Sequence, residues 1–291
     1  MTFLEMLANA EKKNNSMLCV GLDPEPAKFP LGMRGDPSKI FAFCSRIVEA
    51  THDLVLAFKP QIAYFAANGA EAQLELLMKY IREVAPHIPI ILDAKRGDVG
   101  STAEQYAKEA FVRYGADAVT LSPYLGFDSI APYLEYEGKG AFLLCKTSNK
   151  GSGDLQDKRI FQDQVDPEDY STVYQHVARM AKHEWNINGQ LGLVVGATYP
   201  EQLARVREIA PRLPLLIPGV GAQGGDATAV VKAAWRQVDG VTVSPIIVNS
   251  SRAILYASPD DADFEFAARR VALETRKQLN EAKFSVTTLA R

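Results

Sequence analysis

The sequence predicts a (β/α)8 barrel, and three observations predict it. Short apolar runs alternate with longer stretches of helical period, giving eight strand–helix pairs. Each strand candidate is nearly continuous in apolar residues, as a parallel sheet buried on both faces requires. Polar and charged residues cluster just after these runs, and barrels of this kind carry their sites at the C-terminal ends of their strands. An open doubly wound sheet is the alternative arrangement of the same units.

The first strand is expected at 17–22, with Asp23 directly after it and a helix at 37–51. The second, 54–59, ends on Lys59 and leads to a helix at 68–84. The third, 88–94, runs from Ile88-Pro-Ile-Ile-Leu92 into Asp93-Ala-Lys95-Arg-Gly-Asp98, ahead of a helix at 102–114. Residues 118–121 form the fourth, followed by Ser122 and a helix at 129–136. The fifth, 141–145, is followed by Lys146 to Ser148 and a helix at 167–184. The sixth is 192–195, with a helix at 200–210. The seventh, 215–217, opens a glycine-rich stretch to Gly225 and a helix at 226–235. The eighth is placed at 240–243, followed by polar residues from Ser244 to Arg252 and a helix at 260–283. No repeat, low-complexity tract or linker marks a boundary, so one barrel domain over 1–291 is expected.

Composition narrows the function class. The chain has 291 residues, 47% hydrophobic and 23% charged, which is ordinary for a soluble globular protein. A net charge of −3 with scattered Lys and Arg provides no basic stripe for nucleic acid. No apolar stretch reaches the roughly 20 residues that span a bilayer. The N-terminal segment carries Glu5 and runs into Glu11-Lys12-Lys13, unlike a secretory signal, so a cytoplasmic protein with no membrane partner is expected. Cys19, Cys44 and Cys145 read as small buried hydrophobes rather than disulfides. His52, His87, His176 and His183 show no metal-ligand spacing.

The charged hexapeptide 93–98 sits where a buried strand ends. Strand alternation sends Asp93 and Lys95 to one side, and the turn at Gly97 brings Asp98 back, so two carboxylates flank one ammonium. Lys59 joins them, because a barrel sets the ends of strands two and three in contact. A closed ion-pair network that merely neutralises the barrel mouth is the plainer reading of any single pair, but four charged groups at two neighbouring strand ends point to function. Pro218 to Gly225 contains GxGxxG, but it falls at the seventh strand and lacks the acid that a dinucleotide site places after the next strand. Backbone N–H groups there, with Arg252 in the eighth loop, suit a phosphate instead. Residues 146–166 are too polar and too long for a plain connection, and serve either as an active-site loop or as a surface excursion.

Taken together, Asp93-x-Lys95-x-x-Asp98 with Thr102, Phe58-Lys59-Pro60-Gln61, Lys146-Thr-Ser148-Asn149, the Pro218-Gly-Val-Gly run and Ser250-Ser-Arg252 resemble orotidine 5'-phosphate decarboxylases, most closely their longer bacterial form. The likeness spans Gly21-Leu-Asp23-Pro24 to Arg252. The Asp-x-Lys-x-x-Asp core alone is also found in sugar-phosphate lyases of the same TIM-barrel superfamily. The resemblance implies conversion of orotidine 5'-monophosphate to uridine 5'-monophosphate and carbon dioxide in pyrimidine synthesis, by a homodimer using neither metal nor organic cofactor. It implies that Lys95 donates a proton to C6 with Asp93 beside the departing carboxylate. Lys59 and Asp23 would hold the ribose, and Ser148 would read the pyrimidine. Gln223 and Arg252 would bind phosphate, while Asp98 and Thr102 reach the neighbouring subunit's site. A metal-assisted lyase, a Schiff-base aldolase and a non-catalytic phosphate-binding barrel remain the alternatives.

Overall fold

The computed structural model describes residues 1–161, 170–220 and 226–289. Eight parallel strands form one sheet: β1 Leu18–Leu22, β2 Ala57–Pro60, β3 Ile91–Arg96, β4 Ala118–Leu121, β5 Gly140–Lys146, β6 Leu191–Val195, β7 Leu215–Pro218 and β8 Ile246–Ser250. Their hydrogen-bonded order is β2-β1-β8-β7-β6-β5-β4-β3. Bridges from Phe58 to Ile90 and from Gln61 to Asp93 bring β2 against β3, so the sheet comes round on itself. Closure explains the near-continuous apolar strands, since one face packs the barrel interior and the other the helices. Every residue of β1, β2, β4, β6 and β8 is buried.

Three expectations on the elements are corrected. The eighth barrel strand is Ile246–Ser250, not 240–243. Val241–Ser244 pairs antiparallel with Arg236–Val238 outside the barrel, and Val241 is 65% exposed. The run at 240–243 has strand character, but only Ile246-Ile-Val248 is apolar on both faces. The expected helix at 102–114 is an α-helix, Gly100–Lys108, that widens into a π-turn at Glu109–Arg113. The expected helix at 167–184 begins at Val173, after a short strand Tyr170–Thr172 paired with Arg159–Phe161.

The N-terminal helix has no counterpart in the sequence reading. Phe3–Asn14 is started by a capping box in which Thr2 and Glu5 exchange side-chain and backbone hydrogen bonds. It packs at the N-terminal end of β5, where the Phe3 ring meets Phe142 edge-on at 5.7 Å. A Cβ at Gly140 would lie 2.6 Å from that ring, so glycine is what lets the helix approach. The opposite, C-terminal rim of the barrel is left for chemistry. No helix among the described residues is long and apolar enough to cross a membrane.

Candidate active site

The C-terminal ends of β1, β2 and β3 deliver Asp23, Lys59, Asp93 and Lys95 into one cavity of about 510 Å³, which Ser148 and Arg252 also line. Lys59 Nζ donates to Asp93 Oδ2 at 2.9 Å and lies 3.9 Å from Asp23 Oδ1. Lys95 Nζ donates to Asp93 Oδ1 at 2.7 Å. Charge therefore alternates along Asp23, Lys59, Asp93 and Lys95.

Burial alone would push the Asp93 carboxyl up, but Lys59 and Lys95 outweigh it and hold the group well below the usual carboxylate range. Burial works against the Lys59 ammonium too. Asp93 and Asp23 overcome it and hold Lys59 above an ordinary lysine, fully charged although only 4% exposed.

A bulge in β3 produces this arrangement. Pairing with β4 passes from Leu92–Val119 to Arg96–Leu121, so Asp93, Ala94 and Lys95 stand opposite Thr120 alone. The Thr120 hydroxyl fills the gap: it accepts from the Ala94 and Lys95 amides, both at 3.0 Å, and donates to Asp93 Oδ1 at 2.8 Å. Lys95 is held at φ +48°, the left-handed region that a residue bearing a Cβ rarely occupies. Regular strand alternation is thus not what brings Lys95 to Asp93. The bulge re-aims it.

Asp98 does not flank Lys95. Its carboxylate accepts from the Val99 amide at 2.9 Å and forms no ion pair among the described residues. The ammonium lying between two carboxylates is Lys59, between Asp93 and Asp23. Asp98 and Thr102 do not line the cavity, and Thr102 stands exposed on the helix Gly100–Lys108.

The first part of the 146–166 segment belongs to the cavity. Thr147, Ser148, Asn149 and Gln156 line it. The Thr147 amide donates to Gln156 Oε1 at 2.8 Å, and buried Lys146 donates to Ser152 Oγ at 3.0 Å and Asp157 Oδ2 at 2.8 Å. Ser148 is seated against Gly196, where a Cβ would lie 2.9 Å from the Ser148 backbone nitrogen.

On the side where a phosphate is expected, Pro218, Gly219 and Val220 line the cavity together with Asn249, Ser251 and Arg252. Gly219 has φ +104°, a conformation open to glycine. Arg252 is exposed and forms no ion pair among the described residues, leaving its guanidinium available to an anion. Gln223 lies outside the described residues. Asp23 Oδ1 and Asn249 Oδ1 are buried without a hydrogen-bond partner among the described residues, acceptors turned to a site where a ligand's hydroxyl or amide can donate.

Thr120 and Asn249 are among the cavity-lining residues to which the sequence reading gave no role. Thr120 is a polar side chain inside the otherwise apolar β4, and Asn249 is the first polar residue after Ile246-Ile-Val248 in β8, and that is the signal by which they could be found. Ser122, which was singled out after β4, does not line the cavity. Among the described residues, no group of three or more His, Cys, Asp or Glu is placed to hold a metal ion.

The arrangement suits the chemistry of a developing anion. A charged lysine on a strained, fixed backbone can stabilise negative charge beside it and deliver a proton, while Asp93 disfavours an anionic group placed against it. Arg252, some distance around the rim, offers a bidentate grip on a phosphate.

The profile of the orotidine 5'-phosphate decarboxylase / HUMPS family matches residues 16–265. The orotidine 5'-phosphate decarboxylase of Albidiferax ferrireducens is 65% identical over 289 residues, covering 97% of this chain and 99% of that protein. That of Delftia acidovorans is 67% identical over 282 residues, with 97% and 99% covered. The solved structure of Leishmania donovani OMP decarboxylase superposes with a TM-score of 0.81 at 39% identity, over 98% of this chain and 99% of that one.

Proposed function

This chain belongs to the orotidine 5'-phosphate decarboxylase family, and from that premise we propose that it converts orotidine 5'-monophosphate to uridine 5'-monophosphate and carbon dioxide with Lys95 as the proton donor. The carrying observation is the alternating array Asp23, Lys59, Asp93 and Lys95 in one cavity. The reaction is the final step of uridine monophosphate synthesis, and the enzyme is a carboxy-lyase.

Loss of carbon dioxide leaves an electron pair in an sp² orbital at C6, which the pyrimidine ring cannot spread as an enolate. Stabilisation must then be electrostatic. The Lys95 ammonium faces the nascent carbanion and transfers its proton to C6, ending as a neutral amine that is reprotonated from solvent. Asp93, held ionised by Lys59, opposes the substrate carboxylate and loses that opposition as carbon dioxide departs. At about 4 Å and an effective dielectric near 20, such a repulsion amounts to about 4 kcal/mol, at most about three decades of rate. Lys59 and Lys95 neutralise part of it, so the larger share falls to Lys95, to exclusion of water and to binding energy from the phosphate.

Asp23 and Lys59 hold the ribose hydroxyls, Ser148 reads the pyrimidine edge, and Arg252 with Gln223 takes the phosphate. Asp98 and Thr102, which do not line their own cavity, complete the site of a second copy in a homodimer. The catalytic unit is one barrel domain working in the cytoplasm without metal or organic cofactor.

The test is ultraviolet-monitored conversion of orotidine 5'-monophosphate in excess chelator. Rapid loss of substrate is expected. Verified folded protein that leaves the substrate untouched would refute the assignment.

A further inference from the structure

The phosphate cation and the ribose carboxylate stand on different loops, and a single hydroxyl joins them. Tyr256 Oη accepts from the Glu25 amide at 2.7 Å and donates to the Asp23 carbonyl at 2.8 Å. It therefore spans the backbone on both sides of Pro24, in the turn that carries Asp23 out of β1. At its other end Tyr256 is fixed to Arg252, because its own amide donates to the Arg252 carbonyl at 3.1 Å and closes the one-turn helix Arg252–Leu255.

The ring has little freedom to move. It stacks on Phe43 at 6.0 Å with 8° between the planes, and Phe43 in turn stacks on Phe29 at 4.3 Å and Phe264 at 5.6 Å. Burial pushes the pKa of the phenol above its ordinary value, which keeps the hydroxyl an O–H donor. Asp23, meanwhile, reaches Lys59 at 3.9 Å without a hydrogen bond, and its Oδ1 is buried with no hydrogen-bond partner among the described residues. Its carboxylate is therefore placed by its backbone, and the backbone is pinned by Tyr256.

Resting on the functional reading above, we propose that Tyr256 is a positioning residue that couples the Arg252 turn to the Asp23 turn, so that engagement of the substrate phosphate sets the carboxylate that holds the ribose. Tyr256 touches neither. It acts through the Asp23 carbonyl and the Glu25 amide. A tyrosine that served only to pack the aromatic stack would need its ring and not its hydroxyl.

Tyr256→Phe keeps the stack and removes the coupling. The variant should lose about tenfold in kcat/KM for orotidine 5'-monophosphate, the scale of one lost positioning hydrogen bond. In an Asp23→Asn background the same change should cost less than about threefold, because the group being positioned is already altered. An equal loss in both backgrounds, or no loss in either, would overturn the proposal. A purely structural role would lower the melting temperature without this dependence on Asp23. The crystal structure of Tyr256→Phe provides a reading independent of turnover: the Asp23–Lys59 separation should depart from 3.9 Å, and an unchanged separation would overturn the coupling. If the wild-type enzyme fails to turn over the substrate, the functional reading falls, and the coupling is decided by that separation alone.

Discussion

The Thr120 hydroxyl donates to Asp93 Oδ1 at 2.8 Å while accepting two amides of the β3 bulge. One donor and two acceptor positions are all a hydroxyl has, and all are used. Asp93 is thereby aimed by β4 as much as by its own strand. Thr120→Val preserves shape and removes all three bonds. It should cost about 1–3 kcal/mol of stability by leaving two amides unsatisfied, and should lower kcat more than it raises KM. Denaturant unfolding and steady-state kinetics check it; a variant as active and as stable as the parent would show that the bulge holds itself.

Lys95 combines a candidate proton donor with a left-handed backbone. Lys95→Ala should reduce turnover by several decades with the fold intact, and near-normal turnover would sink the proton-donor assignment. Lys95→Gly should be equally inactive but about 0.5–1 kcal/mol more stable than Lys95→Ala, because φ +48° strains alanine and not glycine. The comparison separates the strain from the chemistry at one position, and thermal unfolding of the two variants reads it.

Asp93 is the counter-ion on which buried Lys59 depends. Asp93→Asn leaves the Lys59 ammonium, 4% exposed, with Asp23 at 3.9 Å and no hydrogen-bonded carboxylate. Such a buried uncompensated charge should cost about 3–5 kcal/mol. Combining it with Lys59→Met should cost less than the sum of the single changes. Strict additivity in chemical denaturation would show that the pair is not the unit described.

How much of this was legible in the sequence depends on whether the signal was local. The alternation of apolar runs and helical segments is local, and it correctly located seven barrel strands and the charges at their ends. The eighth went astray because Val241-Thr-Val and Ile246-Ile-Val both have strand character, and only tertiary burial separates an outer ribbon from a barrel stave. The Phe3–Asn14 helix lies outside the strand–helix alternation, although its capping box is visible in Thr2 and Glu5. Asp23 was legible as a strand-end charge and, through the resemblance, as a member of the charged array, whereas its place 3.9 Å from Lys59 depends on β1 lying beside β2. Thr120 depends on the bulge in β3, which no pattern of residue types announces.

Asp93 also sets an acid limb. Its folded-state value is depressed below the unfolded carboxyl value of about 3.9. The stability it contributes is therefore present in full above that unfolded value and is lost as pH falls through the folded one, the unfolded chain taking up the proton first. Between pH 5 and 8 this group should leave stability flat. Below about pH 4 the wild type should lose stability faster than Asp93→Asn, so that the two unfolding curves converge in acid. Parallel curves down to the acid transition would place the depressed group elsewhere.

Gly196 offers a test of the pyrimidine side that leaves Asp93 and Lys95 untouched. A Cβ there would lie 2.8 Å from Ser148 Cβ and 2.9 Å from its backbone nitrogen and Cα. Backbone atoms cannot rotate out of the way, so Gly196→Ala must displace the Thr147–Asn149 turn, and the Gly196 amide bond to the Lys146 carbonyl at 2.7 Å concentrates the strain at that turn. With Ser148 reading the pyrimidine as proposed, a shift of several tenths of an ångström in its hydroxyl should reduce kcat/KM about ten- to a hundredfold. The loss should appear mainly in KM, because the groups that meet the carbanion stay in place. A loss confined to kcat would instead mean that the β5 turn acts on the reacting carbon, and Ser148 would then need a different role.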